Sequence, residues 1–199
     1  MRFSKFFLMA AALLSAPVLQ AEAVKVWQGT LTLPVHEEGL PDPNPPFDTF
    51  APAGRYNYPY TLRTSLTGVR AEHALRALFL ENEYLKCSVL PDIGGHLYSC
   101  TDKLSGAEMF YANPSIKKQL IGYRGAWAAF GIEFNFPVSH NWMSMSPVDF
   151  ATRTNADGSA SVFVSNIDRP YGMQWMVELV LRPGSTVLEQ KVTLYNRSD

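Results

Sequence analysis

The stretch that decides the fold is Gln174-Trp175-Met176-Val177-Glu178-Leu179-Val180-Leu181-Arg182, then Pro183-Gly184-Ser185, then Thr186-Val187-Leu188-Glu189-Gln190-Lys191-Val192-Thr193-Leu194-Tyr195-Asn196. In its second half Leu188, Val192 and Leu194 fall on one side of an extended chain, and Glu189, Lys191 and Thr193 on the other. A period of two marks a strand in a sheet with one wet face. Pro-Gly between the halves is turn chemistry, so the pair reads as a hairpin.

The same punctuation recurs towards the N-terminus. Val148 to Arg153 and Ala160 to Ser165 flank Asn155-Ala156-Asp157-Gly158, where Asp-Gly is a strong hairpin signal. His96 to Asp102 follows Gly94-Gly95, and Ser105-Gly106 punctuates the next turn. Ala77 to Leu80 and Tyr84 to Leu90 flank Glu81-Asn82-Glu83. Turns return about every 8–12 residues, the rhythm of a sandwich or barrel. No window after the N-terminal segment sustains helical periodicity. The expected fold class is all-β, in antiparallel sheets.

Upstream, Val24 to Leu33 alternates and stops at Pro34, reading as one short strand. Pro34 to Tyr60 is rich in proline, with Phe47, Phe50, Tyr56 and Tyr58 among it, and reads as a crossing segment without regular structure. Residues 24–60 are thus a strand plus a crossing, and 61–199 the sandwich proper. Met1 to Ala23 has another character. Arg2 and Lys5 precede the apolar run Phe6 to Leu14, and Ala21-Glu22-Ala23 offers a small-residue cleavage site. That is the layout of a secretory signal peptide, with an apolar run too short to span a bilayer; the alternative is a buried amphipathic helix. The expectation is an exported chain, periplasmic or extracellular, with no membrane insertion after cleavage.

Composition narrows the function classes. Of 199 residues, 47% are hydrophobic and 18% charged, which supports a buried core and excludes disorder over most of the length. A formal net charge of -1 supplies no basic footprint for nucleic acid. Aromatic residues at 13% suit both a β core and flat faces that stack on sugar rings. Cys87 and Cys100 lie symmetrically about Pro91-Asp92-Ile93-Gly94-Gly95, so a tight hairpin brings them opposite each other. Either a disulfide or two buried thiols fits that placement.

The densest chemistry lies in Arg124-Gly125-Ala126-Trp127, Gly131-Ile132-Glu133-Phe134-Asn135-Phe136-Pro137 and His140-Asn141-Trp142. Read as a strand, Ile132, Phe134 and Phe136 join the core while Glu133 and Asn135 share the opposite face. A carboxylate, amides and aromatic platforms are what sugar recognition uses. Glu133 is assigned to accept hydroxyl protons, Arg124 to donate to a sugar oxygen or orient Glu133, and Asn135 and Asn141 to grip hydroxyls. His140 is the general acid–base candidate with Glu133, and Trp127 and Trp142 are the stacking candidates. The competing account makes Arg124 and Glu133 a structural ion pair and the tryptophans core. Glu133, His140 and Asp149 have no diagnostic metal spacing, so neither metal nor cofactor is expected. No G-x-S-x-G elbow is present.

Together Leu80-Glu81-Asn82-Glu83-Tyr84-Leu85-Lys86, Leu90-Pro91-Asp92-Ile93-Gly94-Gly95-His96-Leu97-Tyr98, Arg124-Gly125-Ala126-Trp127 and Gly131 to Pro137 resemble a bacterial family of galactose-mutarotase-like domains. Members of that family often continue into tetratricopeptide repeats. The resemblance runs from about Tyr58 to Asp199. It implies a β-supersandwich, here partial and incomplete at the C-terminal side, and a carbohydrate-directed role as binding module or carbohydrate-active domain. Any enzyme would be of epimerase, lyase or glycosidase type. A structural or protein-interaction sandwich is the alternative, with a repeat region or another protein as its partner. Fold membership alone does not name a reaction.

Overall fold

The computed structural model describes residues 21–41, 43, 60, 63, 65–120, 126–137, 140, 142–169 and 171–197, without the side chains of Leu120, Ala126 and Trp142. Its strands are β1 (Lys25–Glu38), β2 (Leu66–Glu81), β3 (Leu85–Leu90), β4 (His96–Asp102), β5 (Gln119–Leu120), β6 (Ala126–Trp127), β7 (Asp149–Thr154), β8 (Ala160–Ile167), β9 (Gln174–Leu181) and β10 (Leu188–Tyr195). A 3₁₀ turn at Trp142–Met145 is the helical element among the described residues. The molecule is an all-β sandwich. One antiparallel sheet has the order β1-β2-β3-β4, the other β10-β9-β8-β7, and β5-β6 is a small ribbon.

The hairpins stand where the turn residues put them. Leu188 faces Leu181 and Val192 faces Val177, so the apolar side of β10 continues the inner face of β9. Two strands run further than their patterning shows. β1 passes straight through Pro34 to Glu38. Pro34 sits opposite Glu72 and its carbonyl accepts from Ile116 N–H on the outer side. On an edge strand with its nitrogen facing outward, proline removes no ladder bond to β2. The short strand ending at Pro34 and the structureless crossing beginning there are corrected to that extent; residues 44–59 of the crossing lie outside the described set. β2 likewise starts at Leu66, where it pairs with the end of β1; its first half is largely exposed and carries Arg70, Glu72 and His73, so no apolar alternation marks it.

The first sheet is buried on both faces near β2, β3 and β4. Leu78, Leu80, Val89 and Leu97 meet Val162, Val164, Trp175, Val177, Leu179 and Leu181 of the second sheet in the main core. On the outer side Ala77, Leu90, Tyr98, Ile116, Phe130 and Met145 form a smaller core under the chain that leads from β4 to the 3₁₀ turn. Cys87 and Cys100 are direct cross-strand partners, 3.9 Å apart at Cα, and are joined as a disulfide inside the main core.

Candidate functional site

The site grows out of one irregular pairing at the β4 edge. Leu97 and Ile132 exchange both backbone hydrogen bonds, 3.2 and 3.0 Å, in an isolated antiparallel bridge. The neighbouring position in that register sets Glu133 opposite His96. Residues 133–136 then continue without a ladder of their own, so the strand expected over Gly131 to Pro137 is a single bridge followed by chain outside any strand. Its alternation still holds. Ile132, Phe134 and Phe136 pack on the main core, while Glu133 and Asn135 turn the other way.

Two glycines allow the close approach. Gly131 has φ +52°, and a Cβ there would lie 1.9 Å from the Leu97 carbonyl oxygen. Gly94 has φ +63°, and a Cβ there would sit 2.1 Å from the Ser144 carbonyl oxygen. Its N–H donates to Ser146 O at 2.7 Å, while Val148 N–H donates to Pro91 O at 2.9 Å. The turn before β4 is thereby clamped to the residues around the 3₁₀ turn, which brings Ser144 under Glu133.

Glu133 is the hub. Its side chain is only 12% exposed. Oε1 accepts from Asn135 Nδ2 at 2.8 Å and from Ser144 Oγ at 3.1 Å. His140 Nδ1 lies 3.0 Å from Oε1 and 3.2 Å from Oε2, and its side chain is 39% exposed. The His140 backbone has φ +47°, a left-handed conformation uncommon outside glycine. The Trp127 ring, half-buried on β6, lies 5.7 Å from the His140 ring. Behind Glu133, fully buried His96 brings Nε2 to 3.8 Å from Oε2 and packs edge-on to Phe130. Burial pushes the His96 imidazole down to about 4, so it is neutral at ordinary pH. A cavity of about 220 Å³ opens beside the same segment, lined by Phe134, Phe136, Trp175, Val177, Val192 and Leu194, with Glu133 and Asn135 also on its wall.

Of the residues expected from sequence, the structure gathers Glu133, Asn135, His140 and Trp127 at one place. Arg124 and Asn141 lie outside the described residues, as does the side chain of Trp142. Asp149 is elsewhere, on a separate cavity of about 470 Å³ with Tyr60 and Arg169. No group of three metal-ligating side chains occurs among the described residues. Sequence reading passed over His96 and Ser144. His96 had a signal in its place directly after Gly94-Gly95, where a turn returns the chain into the core; Ser144 had none, since only the clamp through Gly94 places it.

In chemical terms the site is a nearly buried carboxylate with amide and hydroxyl donors, touching an exposed imidazole with an indole alongside. It can accept hydrogen bonds from hydroxyls, present a flat apolar face and exchange a proton between Glu133 and His140.

The chain is similar to the crystal structure of a TPR-domain containing protein from Parabacteroides distasonis, with 30% sequence identity and a TM-score of 0.76. The match covers 89% of this chain and 30% of that one, so this sandwich corresponds to less than a third of the larger protein. Residues 52–199, which include both sheets from β2 onward and every group gathered around Glu133, match the model of the family described as Domain of unknown function (DUF5107), and the chain belongs to that family.

Proposed function

We propose that the protein is an exported carbohydrate-binding domain of galactose-mutarotase-like type, with its sugar site centred on Glu133. The observation that carries this reading is the Glu133 constellation. A carboxylate held in place by Asn135, Ser144 and His140 is preorganised to accept from sugar hydroxyls, and the Trp127 ring beside it offers a stacking face for C–H groups. The left-handed backbone at His140 favours a functional role, since such conformations gather at ligand sites. Export rests on the signal-like Met1 to Ala23. Glu133 and His140 are the proton-handling pair, and following the anomers and linkages of a bound glycan by NMR shows whether the site turns it over.

Calorimetric titration against a glycan panel tests the binding. Glu133→Gln keeps the shape and removes the charge, so affinity is expected to fall roughly ten- to a hundredfold, the value of one charged hydrogen bond, with folding retained. A variant that melts early, together with no glycan binding by either protein, would end the proposal.

A second reading, an interaction sandwich, is favoured by a different observation. Val192 and Leu194 are 59% and 54% exposed although they belong to the apolar side of β10. An uncovered apolar surface of this kind suits a protein partner.

A further inference from the structure

His96 is a buried group beside the site whose chemistry is unaccounted for. Its side chain is completely buried, and neither ring nitrogen has a hydrogen-bond partner among the described residues. Buried polar atoms are almost always paired, so an orphan imidazole calls for a reason. The titratable group against it is Glu133, whose Oε2 is 3.8 Å from Nε2, beyond hydrogen-bond distance. The carboxylate is unevenly satisfied. Among the described residues Oε1 takes Asn135, Ser144 and the shorter approach of His140, while Oε2 has only the longer approach of His140. The under-satisfied oxygen is thus the one turned towards His96.

We infer that His96 is a positioning residue for Glu133: with its proton on Nε2 it donates to Oε2, fixing which carboxylate oxygen is held inward and which is presented to a ligand. This rests on the reading of Glu133 as the ligand-gripping carboxylate. The geometry favours that tautomer. With the proton on Nδ1, the lone pair of Nε2 would face an anionic oxygen inside a dry pocket. The bond forms as the 3.8 Å separation narrows, and such bonds tighten when a site is occupied. The rest of the surroundings fits a fixed ring, because the edge-on contact with Phe130 at 4.7 Å limits its rotation.

The test uses the free protein, so its result is separate from whether any glycan binds. Two-bond ¹H–¹⁵N spectra of histidine-labelled protein at pH 7 are expected to show His96 protonated on Nε2 and bare on Nδ1. His96→Phe keeps a buried ring and removes the donor, and is expected to shift the Glu133 carboxyl ¹³C resonance; His96→Gln, which returns an N–H at similar reach, restores it. An Nδ1-protonated His96, or a Glu133 resonance unmoved in His96→Phe, would overturn the assignment. Should His96→Phe fail to fold, the wild-type tautomer and the Glu133 resonance in His96→Gln decide it: a Gln variant that leaves Glu133 as in the wild type supports positioning, and a displaced resonance opposes it.

Discussion

At the scale of single residues, the protein concentrates its unusual chemistry in one buried imidazole and one nearly buried carboxylate. The carboxylate 3.8 Å away favours a charged His96, and complete burial outweighs it, holding the ring at about 4 against an ordinary 6.5. Between those values the unfolded chain takes up a proton that the folded chain refuses. Stability from this group is therefore full above pH 6.5 and is lost as pH falls towards 4, by about 3 kcal/mol. Denaturant titrations at pH 7 and pH 4 should show a difference smaller by that amount in His96→Gln than in the wild type. An equal pH dependence in both proteins would show that His96 is not buried in its neutral form.

At the scale of elements, the site depends on backbones approaching where no side chain fits. Gly131→Ala places a methyl 1.9 Å from the Leu97 carbonyl and forces a left-handed φ on alanine. The Leu97–Ile132 bridge must open, at an expected cost of about 3 kcal/mol, and under the proposed sugar-binding function glycan affinity should fall with it because Glu133 loses its position opposite His96. A melt of Gly131→Ala that matches the wild type would contradict this. The β3–β4 hairpin carries its own constraint. Its disulfide closes a separation of 13 residues, so reduction is expected to lower unfolding free energy by about 2–3 kcal/mol. Alkylation of the denatured, unreduced protein should modify neither Cys87 nor Cys100; two modified thiols would refute the bond.

At the scale of the whole molecule, the two sheets enclose a core that is closed over β8 and β9 and open over β10. Leu179 on β9 is fully buried, while Val192 and Leu194, on the same side of the neighbouring strand, are largely in water. Leu179→Ala should therefore cost about 2–5 kcal/mol, and Leu194→Thr less than about 1 kcal/mol. Among the described residues β10 is also the end strand of its sheet, the position where another strand can add. The double change Val192→Lys with Leu194→Lys is expected to reduce binding of a hydrophobic dye without lowering the melting temperature. A large drop in melting temperature would mean that this face is covered in solution.

The sequence by itself determined the all-β class, most of the hairpins and the cross-strand placement of Cys87 and Cys100. Those features are local: a period of two, turn residues at Asp157-Gly158 and Pro183-Gly184, and a spacing symmetric about one turn. It also set Glu133 and Asn135 apart from the core, because they alternate with Phe134 and Phe136, and it put His140 and Trp127 near them only by sequence distance. The tertiary structure alone decided that β1 continues through Pro34, since only an edge position with Ile116 on its outer side makes that proline harmless. It alone placed His96 opposite Glu133 and Ser144 beneath it. Those residues are 37 and 11 positions from Glu133 along the chain, and a pairing of one bridge plus a clamp through Gly94 leaves no periodic trace for a sequence to show.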